Sequence, residues 1–178
     1  MTLAFGPHDD ALVQYAYVVE DIDAAMAQFT RRLGIGPGHR RSRFRPPAGR
    51  YLGRPTAPLF SLARAFSGQV MIELIVQHDD TPSVFHPGDG PRRYGFHHWA
   101  RFTRDFDAEV ARMQADGWTE AFYDELPSGS RVMYLDPGAG LPGMLELVEH
   151  TDAQERHYAA IHRTAIDWDG SDPVREER

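Results

Sequence analysis

A chain of 178 residues that is 42% hydrophobic and 25% charged has the composition of a folded protein with room for one core, not of a disordered segment. Its 19 basic residues against 26 acidic ones leave a formal charge of −7, which speaks against a nucleic-acid partner, and it contains neither cysteine nor lysine. Disulfides, thiolate chemistry, iron–sulfur and zinc-finger sites, Schiff-base catalysis, lysine-linked pyridoxal phosphate and the phosphate-loop lysine are thereby excluded.

Residues 1–10 lack the basic and then apolar pattern of a leader, and no apolar run approaches membrane-spanning length. A soluble, cytoplasmic protein with no membrane partner is expected. The next segment introduces a pattern that recurs. Gln14 to Ala27 reads as a strand, an Asp placed to cap a helix, and an amphipathic helix with Ile22, Met26, Phe29 and Leu33 on one stripe. His98 to Ala111 repeats it, with Phe106, Val110 and Met113 on the stripe. Gly34 and Gly117 follow the helices as expected C-caps.

Three strand-like segments follow each helix: 39–45, 58–67 and 69–77 in the first half, and 119–123, 131–135 and 144–149 in the second. Gly34-Ile-Gly36-Pro-Gly38 follows a helix instead of preceding one, so it reads as a turn and not as a phosphate loop. Residues 78–95, rich in Pro, Gly, Asp and Arg, read as a surface linker. There His78, Asp79, Asp80 and His86 suit a lid or a solvated loop better than a second metal site. A helix is expected over 153–166, before an irregular charged tail. The fold class is therefore α+β, with two paired βαβββ modules (about 12–77 and 95–149) in one domain over 1–150, and a helix and tail over 151–178.

Strand alternation decides which polar groups share a surface. Val70, Ile72, Leu74 and Val76 form a helix-facing stripe that turns Glu73 the other way, and Leu145 and Leu147 do the same for Glu146. Gln14 lies opposite the Val13, Tyr15, Tyr17, Val19 stripe, and the repeat places His98 at the equivalent position. An amide oxygen, two carboxylates and an imidazole converging in one cup suit a divalent metal ion, with zinc, nickel, cobalt, manganese and iron(II) all open. By alternation His97 points away from His98 and reads as structural. Arg41, Arg43 and Arg45 fall on one face, with Arg50 and Arg54 beyond, and read either as a solvated edge or as a binding site for an anionic substrate group.

This order of elements, with Gln14, Glu73, His98 and Glu146 at these places, resembles the vicinal oxygen chelate superfamily, which includes glyoxalase I, methylmalonyl-CoA epimerase, extradiol dioxygenases and bleomycin-resistance proteins. The resemblance runs from Leu12 to Glu149, most tellingly in Gln14 to Asp23, Ile72-Glu73-Leu74-Ile75, Gly95 to Asp107, Tyr134-Leu-Asp-Pro137 and Met144 to Glu149. It implies a glyoxalase-like cup with Gln14, Glu73, His98 and Glu146 as metal ligands and Glu73 or Glu146 as the base. Gln14 at the first ligand position disfavours the iron chemistry of the dioxygenases, and Val18, where glyoxalase I carries a glutathione-binding Arg, argues against glutathione. Methylmalonyl-CoA epimerase resembles the linker and second half more closely, although its second ligand is usually Gln where this chain has Glu73.

The expected activity is that of a metal-dependent isomerase, epimerase or lyase that abstracts a proton next to a carbonyl. The expected partners are a small-molecule carbonyl substrate, anionic if the arginines hold it, and a second copy of the chain in a homodimer. A small-molecule binding or sequestering protein is the alternative, and a ring-cleaving dioxygenase a more remote one.

Overall fold

The structure, a computed structural model, describes residues 2–8, 11–88 and 90–177. The first module comprises β1 (Gln14–Val18), α1 (Ile22–Leu33), β2 (Gly38–Phe44), a hairpin of β3 (Arg50–Tyr51) and β4 (Arg54–Pro55), β5 (Phe60–Ser67) and β6 (Val70–Gln77). The second comprises β7 (Gly95–Thr103), α2 (Phe106–Ala115), β8 (Thr119–Glu125), β9 (Arg131–Asp136) and β10 (Met144–Glu149). Helix α3 (Asp152–Ala165) and a short strand β11 (Val174–Glu176) follow. The sheet order is β11-β2-β5-β6-β1-β7-β10-β9-β8-β3-β4. Each module pairs its first and last strands in parallel, β1 with β6 and β7 with β10, and β1 and β7 join the modules antiparallel.

The helices form where the sequence places them, because Asp21 accepts the amides of Asp23 and Ala24, and Asp105 accepts that of Ala108. Helix α1 buries Ile22 and Met26 against Ala63 and Leu74, with Ile72 and Val76 alongside, and α2 buries Phe106 and Met113 against Leu135, Leu145 and Leu147. Leu33 does not join the stripe: it is exposed at the end of its helix. The first helix ends in Gly34, whose φ of 67° is left-handed, whereas the second is capped by Asp116 with Gly117 one residue later.

With α1 and α2 on one side of the sheet, the other side is a concave face closed at both ends. At one end α3 lies over β5, and Tyr158, Ala159 and Ile161 pack with Phe5, Phe66, Met71 and Phe102. At the other end Val84 and Phe85 pack with Phe60, Leu62, Ile75, Phe122 and Tyr134. The segment expected to be a surface linker thus contributes a buried plug, Ser83 to His86. Ser83 fixes its conformation by accepting the Phe85 amide and donating to Gln77.

Two further pieces differ from the sequence reading. The β3–β4 hairpin leaves its own module and pairs with β8 of the other, Arg50 opposite Tyr123. The charged tail forms β11 on the edge of β2, Val174 opposite Gly38.

Candidate metal and proton-transfer site

The structure brings Gln14, Glu73, His98 and Glu146 together on the concave face, as alternation requires. Gln14 Nε2 stands 3.1 Å from Glu73 Oε2, 3.2 Å from Glu146 Oε2 and 3.3 Å from His98 Nε2. His98 Nε2 lies 3.4 Å from Glu146 Oε2 and 3.7 Å from Glu73 Oε2. All four side chains are buried, Gln14 and His98 completely.

Each is held from behind. Arg64 lies directly opposite Glu73 on β5 and donates from Nε to Glu73 Oε1 at 2.8 Å. Tyr134 faces Glu146 from β9 and hydrogen-bonds it, and Tyr158 of α3 donates to Gln14 Oε1 at 3.4 Å. Behind His98 stands His97, whose placement departs from strict alternation. Register passes from Ala16 opposite His98 to Tyr17 opposite Phe96, so the strand carries one extra residue there. This bulge brings His97 Nδ1 to 2.9 Å from His98 Nδ1 and His97 Nε2 to 3.0 Å from the Val84 carbonyl.

Only one proton arrangement satisfies that chain. Val84 O can only accept, so His97 Nε2 donates to it and His97 Nδ1 accepts from His98 Nδ1–H. The Nε2 lone pair of His98 then faces the quartet. Burial and mutual repulsion push His97 down to about 3, and burial pushes His98 down to about 4, so both rings are neutral at pH 7.

The two carboxylates differ. Burial raises both above the ordinary range, but Glu73 has the Arg64 guanidinium in contact to offset that burial. Glu146 has hydrogen bonds from Tyr134 and Gln14 and only the more distant charge of Arg64, and it is pushed up to about 7. One carboxylate is anchored by a guanidinium in contact and the other is not.

Among the described residues no group of three or more His, Asp and Glu side chains is positioned to hold a metal ion as the side chains stand. In the quartet the fourth vertex is an amide, and as it stands that amide presents its nitrogen to both carboxylates. Donors at about 2.0–2.2 Å from a tetrahedral ion lie about 3.3–3.6 Å apart. Five edges of the quartet measure between 3.1 and 3.7 Å. Without a cation the carboxylates require N–H donors, and a half-turn of the Gln14 amide exchanges Nε2 for Oε1 at the same vertex. The four side chains are of the donor types a divalent ion takes, and with the amide turned, Gln14 Oε1, Glu73, His98 Nε2 and Glu146 are the atoms and groups that would hold one.

The predicted arginine face does not form. Register on β2 slips between Arg41, opposite Leu62, and Phe44, opposite Phe60, which breaks the alternation. Arg41 keeps the concave face and stacks over Phe44 at 4.1 Å. Arg43 takes a left-handed φ of 50° and is exposed, and Arg45 lies past the strand, bonded to the Ala57 carbonyl and to Asp79 at 3.0 Å. Arg50, beyond them, stacks over Tyr123. The sequence reading missed Arg64, Tyr134, Tyr158 and the role of His97. Arg64 left a signal, a charged residue at an inward position of the apolar run Phe60 to Phe66.

A family model described as Glyoxalase/Bleomycin resistance protein/Dioxygenase superfamily matches residues 13–134. The chain belongs to that superfamily. Among solved structures, methylmalonyl-CoA epimerase from Mycobacterium tuberculosis superposes with a TM-score of 0.56 at 20% identity, covering 82% of this chain and 91% of its own. A hypothetical protein from Bacillus halodurans C-125 gives 0.55 at 14% identity, with 82% and 97% covered. At these identities the likeness is one of fold. No curated protein matches the sequence significantly. Among the described residues no helix is long and apolar enough to cross a membrane.

Proposed function

We propose that this superfamily member is a divalent-metal-dependent isomerase or epimerase that moves a proton on the carbon next to a carbonyl of a small-molecule substrate. The observation that supports it most is the buried quartet of two carboxylates, an imidazole and an amide, whose spacings of 3.1–3.7 Å lie around the edge of about 3.3–3.6 Å of a tetrahedral coordination shell. A cation held there would stabilise the enolate that proton removal creates. Gln14 and His98 are the neutral ligands, the latter with its tautomer set by His97. Glu73, neutralised by Arg64, is the anchored ligand.

Glu146 is the proton carrier in this reading. In the metal-free chain it lacks the guanidinium contact that Glu73 has and burial pushes it up to about 7, so it is the carboxylate that would leave the ion to take up and return the proton. Tyr134 orients its carboxylate from the neighbouring strand. Closure of the cup by Tyr158 and Phe85 excludes water, which would otherwise compete for the enolate and the base.

The test is solvent exchange at carbon. The metallated protein is incubated in D2O with 2-substituted acyl thioesters, a methylmalonyl thioester first, because a solved structure of similar fold is a methylmalonyl-CoA epimerase. Proton NMR should show loss of the C2 proton, slowed about a hundred- to ten-thousand-fold in Glu146→Gln. Tight binding without exchange across a panel of carbonyl acids, thioesters and cyclic ketones would instead identify a sequestering protein.

A further inference from the structure

A second polar cavity, of about 480 Å³, opens on the far side of Arg64 from the quartet. Its cationic wall is Arg41 and Arg64, beside them stands His157, which burial and the neighbouring guanidinium groups hold below its ordinary value, and Gln154 and Ser128 complete the polar lining. Among the described residues the one carboxylate that lines it, Glu177, comes from the segment that follows β11. Arg64 spans both spaces: its Nε is committed to Glu73 at 2.8 Å, and its Nη1 is turned to Glu177 at 3.9 Å.

The fit of Glu177 is poor. Its Oε1 is buried without a hydrogen-bond partner, 3.9 Å from Arg64 and 3.8 Å from His157 Nε2, in each case beyond hydrogen-bond length. Arg41 is likewise under-compensated, since burial and the repulsion of Arg64 outweigh Glu177 and Asp124 and lower its proton affinity. Two guanidinium groups facing one loosely seated carboxylate leave room for a better one, because guanidinium binds a carboxylate best through paired, short hydrogen bonds.

The segment that delivers Glu177 is lightly attached. Strand β11 spans three residues on the edge of the sheet, held by Gly38 N to Pro173 O at 2.8 Å, Glu177 N to Arg40 O at 2.7 Å and the pairing of Arg40 with Glu176. Val174 and Glu176 are exposed. Short, solvated edge pairings of this kind are the first parts of a fold to open.

We propose that the cavity between Arg41, Arg64 and His157 is a binding site for a ligand carboxylate, and that Glu177 occupies it as an intramolecular competitor. The proposal deepens the functional reading by assigning the substrate to the carbonyl carboxylic acids and their half-thioesters. It rests on that reading only for the word substrate, since binding is measured without turnover. A ligand must displace Glu177, so its apparent affinity is reduced by the fraction of molecules in which the site is open.

The experiment titrates the full chain, with the metal it carries as purified, with malonate and with the neutral analogue malonamide, by calorimetry at low salt. Malonate should bind Glu177→Gln about tenfold more tightly than wild type, Arg41→Met should lose that binding, and malonamide should bind none of them. Hydrogen exchange of residues 173–177 in the wild-type protein should speed up on adding malonate, as the segment is released. Equal malonate affinity in wild type and Glu177→Gln, unchanged affinity in Arg41→Met, or unaltered exchange of the segment would overturn the proposal. Failure of the carbon-exchange assay with malonate binding intact would count against the enzyme reading alone.

Discussion

Replacing Arg64 by Met isolates the electrostatics beneath the quartet. The change keeps an unbranched stem of similar reach and removes the charge that holds Glu73. The side chains of Arg64 and Glu73 are only 12% and 5% exposed, so little water can take the place of the lost partner. Removing one member of a buried pair typically costs about 3–5 kcal/mol. For a protein of this size that corresponds to a fall in Tm of about 6–20 °C.

The loss should also depend on pH. Burial already holds Glu73 above its ordinary value, with Arg64 as the largest opposing influence, so deleting Arg64 raises it further. A group whose folded pKa is raised stabilises below its unfolded value and loses that contribution as pH rises through the folded one. Urea unfolding of the metal-free variant should therefore show a large deficit at pH 8 and a smaller one at pH 5.5. The double variant Arg64→Met/Glu73→Gln should recover much of the deficit at pH 8, because no charge is left stranded. A loss below about 1 kcal/mol at both pH values, or a double variant no more stable than the single, would refute the argument.

Glu146, pushed up to about 7 by burial, makes the metal-free wild type lose stability as pH rises through neutrality, by at most about 3 kcal/mol between pH 5 and pH 8. Glu146→Gln should lack this component, and parallel stability profiles for the two proteins would contradict the assignment. His97→Phe retains an aromatic ring beside Phe85 but cannot accept the Nδ1–H of His98. Zinc affinity, measured by competition with a chelating dye, should fall about ten- to a hundredfold, and a change of less than twofold would return His97 to a packing role.

The modules were legible because their signals are periodic. The α1 and α2 stripes and the apolar alternation of β6 and β10 each fix an orientation, and the polar residues between them follow: Glu73 and Glu146 had only one face left to occupy. What escaped was local and aperiodic. A bulge is one residue of excess against a partner strand, invisible without the partner; one on β7 turned His97 toward His98, and another on β2 scattered Arg41, Arg43 and Arg45. The hairpin β3–β4 and strand β11 are two or three residues long, too short for any period. Val84 and Phe85 form a plug from two apolar residues set among Pro, Gly and Asp, a composition that describes a loop but does not say what it covers. Tyr158 reached the site through the placement of α3 in the concave face, which depends on the whole sheet.

The quartet's capacity for a single divalent ion is the point on which the functional account stands. Cobalt(II) titrated into the chelator-stripped full chain and counted by elemental analysis after desalting should reach one ion per chain. His98→Ala and Gln14→Ala should retain much less than one, while the exposed-site control Arg43→Ala matches wild type. A wild-type chain that retains no cobalt, or a His98→Ala variant that retains a full equivalent, would contradict it.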